Sequence, residues 1–151
     1  MSGIFHGLLP IELLIEHDGI DRQHEEIFGR IEAIKEAALD MEALPGSTIT
    51  ELASCFADHF ATEERLAREA GIEMSRHARE HVDALRVLAR ARADLEGRRL
   101  DTRTFLRYLE YWFEHHINQY DKPLGHRLSQ YGKPAGIRPA ACSGGNFPLP
   151  A

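Results

Sequence analysis

The sequence has few of the features that a disulfide-stabilised or membrane-spanning protein needs. Its 151 residues include only two cysteines, Cys55 and Cys142, and no CxxC pair. The fold therefore does not depend on an oxidising compartment. The apolar stretch near the start is broken by Pro10 and Glu12, and it lacks the basic residues of a signal peptide. We expect a cytoplasmic protein without a membrane partner.

The sequence also has fewer basic than acidic residues. Lys and Arg number 18 against 24 Asp and Glu, which gives a formal net charge of −6. The arginine-rich stretch 86–99 alternates with acidic and apolar residues and is typical of a solvated helix face. Because nucleic acids and anionic membranes are bound through basic patches, neither is an expected partner.

The chain shows no strand pattern, but four of its segments have apolar residues at helical spacing. The first covers roughly 19–40, and Thr48 with Glu51 has the spacing of a capping box for the second, which stops near Gly71. The third runs from Met74 or Ser75 to near Gly97, and the fourth is capped by Asp101 or Thr102.

Four such segments with short links predict an all-α fold, an antiparallel up-down four-helix bundle. We assign residues 1–132 to this bundle. Residues 133–151 are rich in Pro, Gly and Ala, and we expect a flexible C-terminal tail that is extended or disordered. The sequence assigns no role to Cys142 in this tail. Cys55 lies one turn before His59 and is expected to be a small buried apolar residue.

The chain contains nine histidines, and the spacing of five of them is informative. His59 and Glu63 are four residues apart, so on a helix they lie about 40° apart around the axis. The same holds for His77 and His81, and all four fall within apolar stripes. Two further histidines, His24 and His116, also accompany apolar stripes, on the first and fourth segments.

One inward histidine is most often a core residue with ordinary hydrogen-bond partners. Burying five imidazoles and a carboxylate without partners, however, would cost on the order of several kcal/mol each. A metal cluster would satisfy all of them at once, and helix bundles commonly hold such sites between facing helices.

Asp121 follows His116 by five residues, which is about 140° around an ideal α-helix. The two side chains could converge only if the helix between them were distorted into a π-type turn. Pro123 supports a distortion, because it has no N–H for the helix and crowds the carbonyl of Gln119. We expect the fourth helix to be distorted or to end near residues 119–123.

The runs IDRQH (20–24), HFATEE (59–64), HAREH (77–81) and WFEHHINQYD (112–121) together resemble the bacterial hemerythrins. The resemblance covers about residues 20–125 and implies seven metal ligands. These are His24, His59, Glu63, His77, His81, His116 and Asp121. It also implies the cofactor, two iron ions that alternate between Fe2+ and Fe3+ and share an oxo or hydroxo bridge.

If both carboxylates bridge the two irons, the donors number about eleven, where two octahedral ions need about twelve. The vacancy falls on the iron with two histidines. By resemblance, that iron is held by His24 and His59 and binds dioxygen, whereas three histidines fill the other iron. The implied oxygen pocket consists of Ile27, Phe60, Trp112, Phe113 and Ile117. Phe113 stands where the family commonly has leucine.

Several other functions use similar residues. The resemblance favours reversible dioxygen binding for storage, transport or delivery, and not an enzyme. An oxygen or redox sensor that acts through a protein partner, an enzyme acting on peroxide or nitric oxide, and an iron-handling or structural zinc bundle are the alternatives. HAREH also fits the H-x-x-E-H pattern of zinc peptidases, with Glu80 as the base. Glu80 lies 60° or more from the line of its two histidines, which argues against a peptidase.

Overall fold

The computed structural model describes residues 9–39 and 45–131. A short 3₁₀ turn, Ile11–Leu13, precedes helix α1 (Asp18–Ala38), followed by α2 (Gly46–Glu69), α3 (Ser75–Glu96) and α4 (Thr102–His116). A π-helical segment, Ile117–Asp121, joins α4 directly to α5 (Lys122–Gln130). The described residues contain no strand. The prediction for the tail at 133–151, including Cys142, lies outside the described residues.

The helices form the expected four-helix bundle, in which α4, the π segment and α5 make the fourth member. Helix α1 packs against α2 and α4, and α2 packs against α3. Each helix places one apolar stripe inward, and burial of these stripes is the main source of stability. None of the described helices is long and apolar enough to cross a membrane.

Most helix ends follow the sequence signals. Gly71 has a φ of 70°, and the Ile72 N–H donates to the Ala67 carbonyl over 2.8 Å, which closes α2 with a Schellman motif. Asp101 caps α4 by accepting from the Thr104 N–H at 2.9 Å. The helix that carries His59 and Glu63 is therefore bounded as expected at its C-terminal end.

Two expectations about α2 are wrong. The helix begins at Gly46, with Pro45 at the N-cap position and no side-chain cap, so Thr48 lies inside the first turn. Pro45 has a φ of −61° and a ψ of 143°, a conformation that suits the residue before a helix, and this allows the earlier start. Cys55 is only partly buried, and it packs at the edge of the core.

Candidate metal centre

Seven polar side chains meet in the centre of the bundle. They come from every member of the bundle, and none is more than 7% exposed. Their nitrogen and oxygen atoms form two groups, within each of which the atoms lie no more than 4.8 Å apart. One group contains Glu63, His77, His81, His116 and Asp121, and the other contains His24, His59, Glu63 and Asp121.

Glu63 belongs to both groups and turns a different oxygen toward each. Its Oε1 lies 3.1 Å from the Nε2 of His81 and 3.4 Å from the Nε2 of His77. Its Oε2 lies 3.1 Å from the Nε2 of His59 and 3.7 Å from the Nε2 of His24. A carboxylate in this position can bridge two cations, one on each side.

Asp121 divides its oxygens in the same way. Its Oδ1 lies 2.9 Å from the Nε2 of His77 and 3.2 Å from the Nε2 of His116, while its Oδ2 lies 3.0 Å from the Nε2 of His24. The two shared carboxylates thus separate three histidines on one side from two on the other.

The π segment brings Asp121 into this arrangement. The Lys122 N–H donates to the Ile117 carbonyl, five residues back, so the turn contains one residue more than an α-helical turn. Beyond it, Pro123 lies in the first turn of α5, where its missing N–H is tolerated. The predicted distortion of the fourth helix is confirmed, although the helix continues to Gln130.

The cluster leaves several buried polar atoms without a hydrogen-bond partner among the described residues, and a cation would satisfy them. Both oxygens of Glu63, the Oδ2 of Asp121, and the Nε2 atoms of His81 and His116 have no neighbour in hydrogen-bond geometry. The Nε2 atoms of His24 and His59 face each other at 3.1 Å, and two neutral imidazoles can place at most one proton there. Nitrogen and carboxylate donors of this kind suit iron and other transition metals.

Without a cation, the histidines share the negative charge of the carboxylates. Burial lowers the pKa of His24 and His77, but the close contacts of both imidazoles with the carboxylates of Asp121 and Glu63 outweigh it and raise both pKa values to about 9. For His59, burial prevails and the pKa falls. Burial raises the pKa of Glu63 and Asp121, yet the surrounding imidazoles hold the pKa of each well below its usual range. The carboxylates are therefore ionised and ready for a cation.

A family model, the hemerythrin HHE cation binding domain, matches residues 16–127, which is most of the chain. The chain belongs to the hemerythrin HHE family. No curated protein and no solved structure matches it. Family membership and the buried cluster together make this a metal-binding domain.

Two residues outside the seven hold the histidines of this hemerythrin-type domain. The Nδ1 of His59 lies 2.8 Å from the Oε1 of Gln23, and the Nδ1 of His81 lies 2.7 Å from the Oε2 of Glu64. Such partners fix the orientation of a ligand imidazole. Outer hydrogen-bond partners of the ligand histidines are expected, but they could not be named from the sequence, since each contact joins two helices. The only available signal was adjacency: Gln23 precedes His24 and Glu64 follows Glu63.

Aromatic rings enclose the hemerythrin-type site. Phe113 is fully buried on the two-histidine side, with its ring centroid 5.2 Å from that of His24. Phe60 stacks on His81 at 4.0 Å, and Trp112 stacks on His116 at 4.8 Å, so both rings contact the three-histidine side. Ile27 and Ile117 are buried in the core. The assignment of these five residues to an oxygen pocket stays a prediction.

Two further aromatic residues lie at the site but were not among the predicted site residues. Phe56 is fully buried and lies 5.1 Å from Phe113 and 5.7 Å from Phe60 between ring centroids. Tyr120 stacks on His116 at 5.4 Å. Phe56 could have been found, since it lies one helical turn before Phe60. Glu80, the base of the alternative zinc-peptidase reading, is in neither group of metal-binding atoms among the described residues.

Proposed function

We propose that this domain holds two iron ions, bridged by an oxo or hydroxo group, and through them binds dioxygen reversibly for storage, transport or delivery. The observation that supports it is the three-plus-two division of the histidines around Glu63 and Asp121. If each carboxylate gives one oxygen to each ion, the two-histidine position has one protein donor fewer than the three-histidine position. A single small ligand can enter there.

The seven side chains have distinct roles in this proposal. Glu63 and Asp121 would hold both ions. His77, His81 and His116 would hold one ion, while His24 and His59 would hold the other and leave it a position for a ligand. When bound, two ferrous ions would together supply the two electrons that dioxygen accepts on binding and recover them on its release.

The residues around the two-histidine side exclude water. Phe113 covers His24 and also lies 6.2 Å from His59 between ring centroids, and it packs on Phe28 and Phe56. All three phenylalanines are buried. A dry, apolar surrounding keeps bound oxygen from protons and water, which would otherwise promote its loss in reduced form. Reversible binding depends on this property, whereas an enzyme would need a path for substrate and protons.

One experiment tests the proposal directly. The purified protein is reduced without air, its metal content is measured, and oxygen is then added and removed while the visible spectrum is recorded. We expect about two irons per chain and a charge-transfer band that appears with oxygen and disappears when oxygen is removed. Zinc in place of iron would indicate a structural or metal-handling bundle. Irreversible bleaching, or turnover with peroxide or nitric oxide, would favour an enzyme.

A sensing role would require a protein partner, and the proposal names none. A cytoplasmic location and the lack of nucleic-acid and membrane partners stay predictions from composition. The oxygen-binding test uses the isolated protein, so its result does not depend on the location of the protein or on any macromolecular partner.

A further inference from the structure

The two sides of the site differ in the charge of their outer hydrogen-bond partners. On the two-histidine side, His59 is held by the neutral amide of Gln23 over 2.8 Å. On the three-histidine side, His81 is held by the carboxylate of Glu64 over 2.7 Å. The two contacts are otherwise alike, since each joins the Nδ1 of a buried imidazole to a side-chain oxygen. The Nδ1 atoms of His24 and His116 have no such partner among the described residues.

The neighbours of Gln23 fix the orientation of its amide. The Thr62 hydroxyl donates to the Asp58 carbonyl over 3.1 Å, so its oxygen is free to accept. The Gln23 Nε2 donates to that oxygen over 3.1 Å, which leaves the amide oxygen facing His59. His59 therefore donates from Nδ1 and turns its Nε2 toward the centre of the site.

Glu64 adds a negative charge beyond the three-histidine side. Its side chain is 38% exposed, but the His81 ring it contacts is only 2% exposed, so solvent screens this contact incompletely. An imidazole whose N–H points at a carboxylate is a stronger metal donor than one whose N–H points at an amide. A nearby negative charge also favours the more highly charged state of an ion.

We propose that Glu64 and Gln23 polarise the metal centre, so that the three-histidine position prefers Fe3+ and the two-histidine position prefers Fe2+. This inference rests on the proposed two-iron centre. When the fully ferric protein takes up one electron from a reduced viologen, that electron goes to the ion beside His24 and His59. The viologen radical cation would be oxidised to the dication, and an oxo bridge could take up one proton from solvent as the centre gains this electron. Glu64 and Gln23 are thus positioning residues that act through His81 and His59.

The test exchanges the two partners without changing their size. In Glu64→Gln, the amide oxygen can still accept from His81. In Gln23→Glu, the Thr62 hydroxyl can turn to donate to the new carboxylate. The potentials of the two one-electron steps are measured without air on each iron-loaded variant. Far-UV circular dichroism and metal analysis check the fold and the iron content. Loss of an outer partner lowers metal affinity by about 10- to 100-fold, so loading is done with excess iron.

The two single variants should shift the reduction potentials in opposite directions. Glu64→Gln mainly moves the second step to a more positive potential, since the three-histidine ion loses its stabilising charge. Gln23→Glu mainly moves the first step to a more negative potential, since the two-histidine ion gains one. Both variants make the two sides more alike, so both narrow the separation between the steps. The double variant restores a wide separation with the preference reversed.

Two control variants carry the same charge changes on exposed residues. Glu69→Gln lies on the helix of Glu64 and contacts Arg65, and Gln130→Glu lies at the end of α5. Neither control variant should alter the separation between the two reduction potentials. The inference is overturned by separations that stay equal to that of the unmodified protein, or by controls that narrow it as much. If Glu64→Gln fails to fold, Gln23→Glu decides alone, because it should move the potential of the first step to a more negative value.

These outcomes also distinguish the inference from the proposed function. The potentials are measured in the absence of dioxygen. A protein that holds two irons but binds no dioxygen would refute the proposed function, and the separation of the potentials would still decide the inference. A protein that holds no pair of irons would overturn both.

Discussion

His116 and Asp121 are five residues apart in sequence, yet the Nε2 of the imidazole lies 3.2 Å from the Oδ1 of the carboxylate. The π-helical segment Ile117–Asp121 makes this possible, because its wider turn returns the fifth residue to the face of the first. Asp121 is fully buried and also contacts His24 and His77. It therefore joins both groups of histidines from one side, as Glu63 does from the other.

Asp121→Asn should remove one bridge without changing the shape of the side chain. The amide has one oxygen for two ions and directs an N–H₂ group at one of them. We expect the iron content to fall from about two per chain toward one or none. The loss of affinity should exceed the roughly 10- to 100-fold typical of an outer partner. Metal analysis after dialysis measures the change. Asp58→Asn, an exposed change of the same kind on α2, should keep the full content; equal loss in both variants would contradict the proposed bridging role.

Spacing along the chain predicted part of the site, and the family resemblance supplied the full set of seven ligands. His59 with Glu63, and His77 with His81, share a helix face through backbone periodicity alone, and Pro123 signalled the distortion that brings in Asp121. The contact of Glu64 with His81 depends on side-chain conformation across two helices, which one sequence does not reveal. The start of α2 at Gly46 was missed for another reason, since the conformation of Pro45 outweighed the capping signal at Thr48.

Phe113→Leu should speed the loss of the oxygen-bound form. Phe113 is fully buried against His24, and a smaller side chain leaves space there that water can reach. The cavity should also lower the free energy of unfolding by about 1 to 2 kcal/mol. Decay of the oxygen-dependent absorption band and denaturant unfolding measure the two effects.

The control is Phe105→Leu, which changes a buried ring of α4 that contacts no histidine in the described structure. It should lower stability by a similar amount and leave the decay rate unchanged; equal acceleration would show that general loosening is the cause.

The metal-free protein should lose stability as the pH rises from about 6.5 to about 9. His24 and His77 have an unperturbed pKa of 6.5 and a folded-state pKa of about 9, so both bind protons more tightly in the folded state. Their stabilising charge is fully present below 6.5 and disappears as the pH passes through 9. Iron binding has the opposite dependence, because each ion must displace these protons and binds more tightly at higher pH. Denaturant unfolding of metal-free and iron-loaded samples at fixed pH values tests both slopes. A flat or rising stability curve for the metal-free protein would refute the expectation.

Gly125→Ala should destabilise the bundle without affecting the metal centre directly. An added Cβ would lie 2.8 Å from the carbonyl oxygen of Ile15 and 3.0 Å from two atoms of its side chain. Ile15 belongs to the buried core, so it cannot move away freely. Alanine favours a helix by about 1 kcal/mol over glycine, but crowding in a packed core costs about 1 to 3 kcal/mol. We therefore expect a net loss of stability in denaturant unfolding, with iron content preserved.

Gly19→Ala is the matched control, since its Cβ would meet only the His17 ring at 3.4 Å or more, and the helix preference should then prevail. Equal or higher stability for Gly125→Ala would mean that Ile15 gives way at little cost and that the contact does not hold the segment before α1 against α5.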